Sequence, residues 1–206
     1  MINIVTAIIS GYILGSIPSA YLVARLRKGI DIREVGSKNM GAMNVYYQVG
    51  LLEAVLVLLA DVGKGIAAIL LARWLDLSLT FQLLTGLAAV VGHAFPVFLK
   101  FRGGKGGATS LGILLFVMPK AVPFFVIAAV IALFVTRNPT FCYAIGFITI
   151  PFVAWLIYHH EHLIFFSIGL PLFVGIQYAP RVKEMRTKTA GNWRRIIKRS
   201  SLKERF

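Results

Sequence analysis

The sequence predicts an all-α, polytopic membrane protein with about seven transmembrane helices, its N-terminus outside and its C-terminus cytoplasmic. Three observations carry this expectation. Hydrophobic residues make up 58% of the 206, and the mean hydropathy is +0.79, far too apolar for a soluble globular domain. The apolar residues are gathered into runs approaching the roughly 20 residues that a membrane helix needs. The basic residues, in contrast, cluster in the segments between alternate runs.

Taken in order, residues 2–26 form the first run, with Gly11, Gly15 and Ser16 as small packing positions and Pro18 as a kink. A polar segment, 27–44, follows. The second run, 51–75, is expected to be interrupted by DVGKG at 61–65, and 81–99 is the third. Residues 108–118 are short for a span, and 121–135, 140–158 and 163–178 complete the count. Pro119, Pro123, Pro139 and Pro180 are expected at the junctions, where helix-breaking residues belong. The domain reading is 1–180 for the membrane domain and 181–206 for a basic cytoplasmic tail. No internal repeat is visible.

Charge sets the orientation. With the N-terminus outside, 19 of the 22 Lys and Arg residues fall in inner segments, leaving Arg73 and Lys120 outside and Lys64 in mid-span. The formal charge of +14 is thereby explained without nucleic acid. The single cysteine, Cys142, excludes an intrachain disulfide and a cysteine metal cluster. No basic residue precedes the first apolar run, so the first helix is expected to persist rather than be cleaved as a signal peptide.

Three constellations bear chemistry. Residues 92–109, GHAFPVFLKFRGGKGGAT, close an apolar run with His93, Pro96, three basic residues and a run of glycines. Glycines let successive backbone N–H groups converge on one anion, and Arg102 and Lys105 add charge. Helical sequence resumes at Ala108, so the loop also opens at a helix N-terminus. This is not a nucleotide-binding P-loop, because Gly106 follows Lys105 and Leu99 stands at the first glycine position. A positive-inside hinge fits the same composition. The second constellation, 29–45, offers Ser37, Asn39 and Asn44 among glycines 36 and 41, which also suits ordinary turns. The third sets Asp61 and Lys64, with Gly63 and Gly65, inside an apolar run. Their i, i+3 spacing fits mutual neutralisation as well as a polar cavity.

Taken together, GSIPSAYL (15–22), DIREVGSKNMGAMNV (31–45), ADVGKG (60–65) and GHAFPVFLKFRGGKGGAT (92–109) resemble the acyl-phosphate-dependent glycerol-3-phosphate acyltransferases of bacteria. The resemblance is strongest in the first half of the chain and rests mainly on hydropathy in the second. It implies a multi-pass plasma- or inner-membrane enzyme of phospholipid biosynthesis with its site on the cytoplasmic side. The implied reaction moves a fatty acyl group from acyl phosphate to the 1-hydroxyl of glycerol 3-phosphate, with no cofactor or metal. Membrane lipid is the surrounding partner, and nucleic acid is not one. The implied catalytic set is Ser37, His93, Lys105 and Asn192. Substrate contacts would come from Asn39, Gly41, Asn44, Asp61, Gly63, Lys64, Gly65, Gly103, Gly104, Gly106 and Thr109. Within these, Lys64 and its glycines would hold the acyl-phosphate end, the 103–107 loop a phosphoryl group, and Ser37, Asn39 and Asn44 the acceptor.

The residues suit that chemistry on their own terms. Acyl phosphate is a mixed anhydride with a good leaving group, so the protein supplies mainly positioning and charge neutralisation. The His-x4-Asp dyad of thioester-using acyltransferases is absent: Phe98, Ile164, Phe165 and Ser167 stand five residues beyond His93, His159, His160 and His162. The departures from the family pattern are equally specific. Met43 replaces a threonine, Tyr47 stands where an arginine would be, and Thr189 and Ala190 replace a His-Arg pair near Asn192. Asn138-Pro139-Thr140 replaces a small serine-bearing segment. Tyrosine cannot make a bidentate charged contact with phosphate, so a different acceptor is the companion expectation, with Arg33, Arg194 or Arg195 as candidates to compensate. A small transporter of phosphorylated solutes is the competing class, though the inverted repeats of such proteins are not found.

Overall fold

The computed structural model describes residues 1–198, and every regular element among them is helical. The end of the expected basic tail, 199–206, lies outside the described residues. Five helical segments are long and apolar enough to cross a membrane: Ile2–Lys28, Leu51–Trp74, Leu79–Leu99, Pro139–Tyr158 and Glu161–Lys188. Two shorter apolar helices, Gly107–Val117 and Ala121–Thr136, bring the apolar segments to the expected seven. The chain divides into two compact units, Met1–Val117 and Met118–Phe206.

In the first unit, α1 (Ile2–Ser16) and α2 (Ser19–Lys28) are separate helices where one kinked helix was expected. Pro18 has no N–H to continue the ladder, and Ile17 before it is held extended (φ −58°, ψ 117°), so the chain breaks at that step. Gly29, in the left-handed conformation (φ 66°), ends α2 and donates its N–H to the Arg25 carbonyl at 2.9 Å. The short α3 (Ala42–Gln48) leads to α4 (Leu51–Trp74). Contrary to the expected interruption at 61–65, α4 runs unbroken through DVGKG. Gly65 serves packing instead. A side chain at Gly65 would strike the Thr109 carbonyl of α6 (Gly107–Val117), and one at Gly112 of α6 would strike the Val62 carbonyl. Small residues thus let the two backbones approach, the usual device of membrane helix pairs. The same device joins α1 to α5 (Leu79–Ala94), where Gly15 meets the Ala89 carbonyl and Gly92 the Tyr12 carbonyl. A core of Ala20, Ala24, Ile32, Met40, Val45, Ala54 and Val57 knits α2, α3 and α4 to the loop between them.

In the second unit, α7 (Ala121–Thr136) packs on α8 (Pro139–Val153) through Gly146, which lies against the Phe125 ring, and through an edge-on Phe125–Phe147 pair at 5.1 Å. Asn138 caps α8 by accepting the Thr140 N–H at 3.1 Å, with Pro139 in the first turn. A π turn, Ala154–Tyr158, follows α8. The last long helix, α9 (Glu161–Lys188), contains Pro171 and Pro180, so Pro180 is inside a helix rather than at the expected junction. Each proline frees one carbonyl, a defect that membrane helices accommodate by local adjustment. The expected tail therefore begins within α9, and α10 (Trp193–Ile197) follows it.

Candidate active site

The break between α1 and α2 opens a narrow cleft lined by Ser16, Pro18, Ser19, Met40, Asp61, Lys64, His93 and Pro96. One carboxylate oxygen organises it. Asp61 Oδ1 accepts from Lys64 Nζ at 2.7 Å and from Ser19 Oγ at 3.0 Å. His93 Nδ1 stands 3.6 Å from the same oxygen, beyond hydrogen-bond range but close enough for the charge to orient the ring. Asp61 and Lys64 are 2% and 7% exposed, so this is a buried ion pair, which persists only when further hydrogen bonds offset its desolvation. Ser19 supplies one. Mutual neutralisation and a polar cavity, two readings of the i, i+3 spacing, are thus both present: the pair is closed on itself and lines the cleft.

The glycine loop packs directly on His93. The Gly104 N–H donates to the His93 carbonyl at 3.0 Å. A side chain at Gly104 would collide with the His93 imidazole at Nε2, and one at Gly103 with the His93 carbonyl and the Pro96 ring. Gly106 has φ +82°, a conformation L side chains rarely adopt, and its carbonyl accepts the Ser110 N–H at 2.8 Å to start α6. Lys105 is half-buried between them. At the head of α6, the Thr109 and Ser110 hydroxyls are buried and have no hydrogen-bond partner among the described residues. An unmade bond of this kind costs about 1–3 kcal/mol, so such hydroxyls are suited to a ligand.

Asn44 organises the first loop. Its amide N donates to the carbonyls of Ile32, Val35 and Asn39, each at 3.1 Å, and its Oδ1 accepts the Ser37 N–H at 3.0 Å. Both polar atoms are engaged, so Asn44 holds the loop, while Ser37 is exposed and Asn39 half-buried. Gly41 caps α3 at φ −120°. Gly63 is different from its neighbours, since a side chain there would meet nothing within 4 Å. Asn192 belongs to the second unit, where its Oδ1 accepts the Arg195 N–H at 3.3 Å and caps α10. Tyr47 stacks edge-on with Tyr46 at 5.1 Å, and Thr189 is buried, donating to the Met185 carbonyl at 2.9 Å.

The structure therefore brings Asp61, Lys64, His93, Gly103 and Gly104 together. Ser19 was missed as a site residue. The signal was a serine directly after a proline in an apolar run, where a helix break leaves polar groups to be satisfied.

The broken first helix, the buried Lys–Asp pair and His93, against which the glycine loop packs, meet at one cleft of a helical membrane protein, the build of a membrane enzyme. The comparisons agree. The glycerol-3-phosphate acyltransferase family model matches residues 5–188. Glycerol-3-phosphate acyltransferase 2 of Dehalococcoides mccartyi is 46% identical over the whole chain and 99% of its own length. Glycerol-3-phosphate acyltransferase of Endomicrobium trichonymphae is 35% identical over 93% of this chain and 96% of its own. The crystal structure of PlsY, an integral membrane glycerol 3-phosphate acyltransferase, in its glycerol 3-phosphate form superposes with a TM-score of 0.83 at 30% identity, covering 91% of this chain and 93% of that one. Its lysophosphatidic acid form gives 0.80 at 29% identity. The chain belongs to the glycerol-3-phosphate acyltransferase family and is a membrane acyltransferase.

Proposed function

We propose that this chain transfers a fatty acyl group from acyl phosphate to the 1-hydroxyl of glycerol 3-phosphate. The hydroxyl oxygen forms a bond to the acyl carbon, the bond from that carbon to the phosphate oxygen breaks, and phosphate leaves with the electron pair and takes up the hydroxyl proton. Lysophosphatidic acid and phosphate are the products. The observation that carries the reading is the Ser19–Asp61–Lys64 cluster lying beside His93 and the glycine loop it supports. Lys64, flanked by Gly63 and Gly65, faces the donor's phosphate. The loop Gly103, Gly104, Lys105 and Gly106, with the unbonded hydroxyl of Thr109, neutralises the charge that develops on the leaving group. Ser37, Asn39 and Gly41, in the loop held by Asn44, orient the acceptor, with Ser37, His93 and Lys105 as the catalytic set.

The distribution of basic residues supports an N-out, C-in chain in the bacterial inner membrane with this site on the cytoplasmic side, 1–180 as the membrane domain and 181–206 as the tail. The test is lysophosphatidic acid production by the purified protein given acyl phosphate and glycerol 3-phosphate; absence of product would refute the reading. The second reading, a different polyol phosphate as acceptor, is favoured by Tyr47 and Thr189, and the same assay with alternative acceptors decides it.

A further inference from the structure

We infer that Arg33 is a positioning residue that fastens the Ser37–Asn44 loop to the turn leading into the glycine loop. Its guanidinium is gripped by Asp31, with Nε 3.0 Å from Oδ1 and the second terminal nitrogen 2.7 Å from Oδ2, and lies 5.2 Å above the Tyr21 ring of α2. The remaining terminal nitrogen reaches 66 residues along the chain and donates to the Leu99 carbonyl at 3.2 Å.

Leu99 is the right place for a fastener. Its side chain packs against the core around Ala20, Ala24 and Ile32, and its carbonyl also accepts the Arg102 N–H at 3.2 Å. Lys100 and Phe101 follow in left-handed conformations (φ 55° and 60°), reversing the chain toward Gly103 and Gly104. On the other side, Arg33 sits between Ile32 and Val35, whose carbonyls Asn44 holds. A second link, Arg102 to Glu34 at 3.1 Å, spans the same segments, but its partners are 63% and 58% exposed and such a pair contributes little. Arg33 is 18% exposed and uses the planar fork that lysine lacks. Three of its five N–H donors are thus engaged within the protein.

This inference rests on the reading that the two loops hold different substrates. Each loop has its own internal support, Asn44 for one and His93 for the other, so removing Arg33 leaves both sites formed and loosens their relative placement. Misplacement of about 1 Å can cost roughly a hundredfold in rate. We expect Arg33→Ala and Arg33→Lys to lower kcat at least about tenfold while both KM values move less than about threefold, with added methylguanidinium restoring part of the Arg33→Ala rate. Glu34→Ala should stay close to wild type. A tenfold rise in one KM with kcat kept would overturn the inference, as would an Arg33→Lys variant with wild-type constants. A readout independent of turnover uses spin labels at Lys38→Cys and Lys100→Cys on a Cys142→Ala background, in nanodiscs. The distance distribution should broaden in Arg33→Ala; an unchanged distribution would refute the fastener even if the acyl-transfer reading itself failed. Asp31→Asn, which keeps the arginine and removes its grip, should broaden it in the same direction and serves where Arg33→Ala does not fold.

Discussion

Lys64 offers three N–H donors, gives one to Asp61, and lines the cleft. A phosphate there gains a charge-assisted bond worth about 1.5–3 kcal/mol. Lys64→Ala and Lys105→Ala should therefore each raise the apparent constant of a phosphate-bearing substrate by roughly tenfold or more, read from initial rates. Wild-type constants for both substrates in both variants would remove these lysines from the site. At position 47, replacing the phenol by a guanidinium should lower the glycerol 3-phosphate constant about ten- to thirtyfold and leave the acyl-phosphate constant alone, because a planar fork replaces one neutral bond. A loss of glycerol 3-phosphate activity in Tyr47→Arg would point to a pocket shaped for another acceptor. Asp61, Lys64 and His93 were legible in the sequence because ionisable residues in an apolar run demand partners. Ser19 and Arg33 were not. Serine is common at helix contacts, and an arginine in a polar loop gives no hint that its partner is a carbonyl 66 residues away.

At the scale of elements, the glycines separate into two kinds that the sequence does not distinguish. Gly65 and Gly112 are contact points between α4 and α6, whereas Gly63 faces open space. Gly65→Ala and Gly112→Ala should lower the thermal midpoint in detergent, since each methyl group must push a backbone away. Gly63→Ala should be neutral or slightly stabilising, because it removes about 0.5–1 kcal/mol of glycine's helix penalty. Equal effects at 63 and 65 would show that the α4–α6 approach is not what these residues serve. The same ambiguity explains why a break was expected in α4: Gly-Lys-Gly is breaker chemistry in water, but helix-contact chemistry in a bilayer. The first loop adds a pH dependence. Hydrogen bonds from Arg33 hold the Asp31 carboxyl below its ordinary 3.8. A lowered pKa stabilises the folded state above the ordinary value and loses that contribution as pH falls through the lower one. The thermal midpoint should thus fall below about pH 4 in a way that Asp31→Asn flattens.

For the whole molecule, the seven apolar segments were readable because hydropathy needs no tertiary information, while the division after Val117 was not, because it depends on which helices pair. The proposed orientation predicts that a thiol probe at position 76, between α4 and α5, is labelled from outside intact cells; labelling only after permeabilisation would invert it. The closed Asp61–Lys64 pair also has a history that precedes catalysis. While α4 is being made, the insertion machinery must pass a charged residue of each sign into lipid, and a lone charge at mid-helix costs about 2.5–3.5 kcal/mol of insertion free energy. With the partners one helical turn apart, α4 can enter already neutralised before α1 or α5 arrives to complete the cleft. Asp61→Ala should then reduce the fraction of chains in which α4 is inserted, measured by glycosylation mapping. The double variant Asp61→Ala/Lys64→Ala should insert at least as well as wild type and yet carry little acyl transfer, so that the making of the protein and the working of it come apart in a single pair of residues.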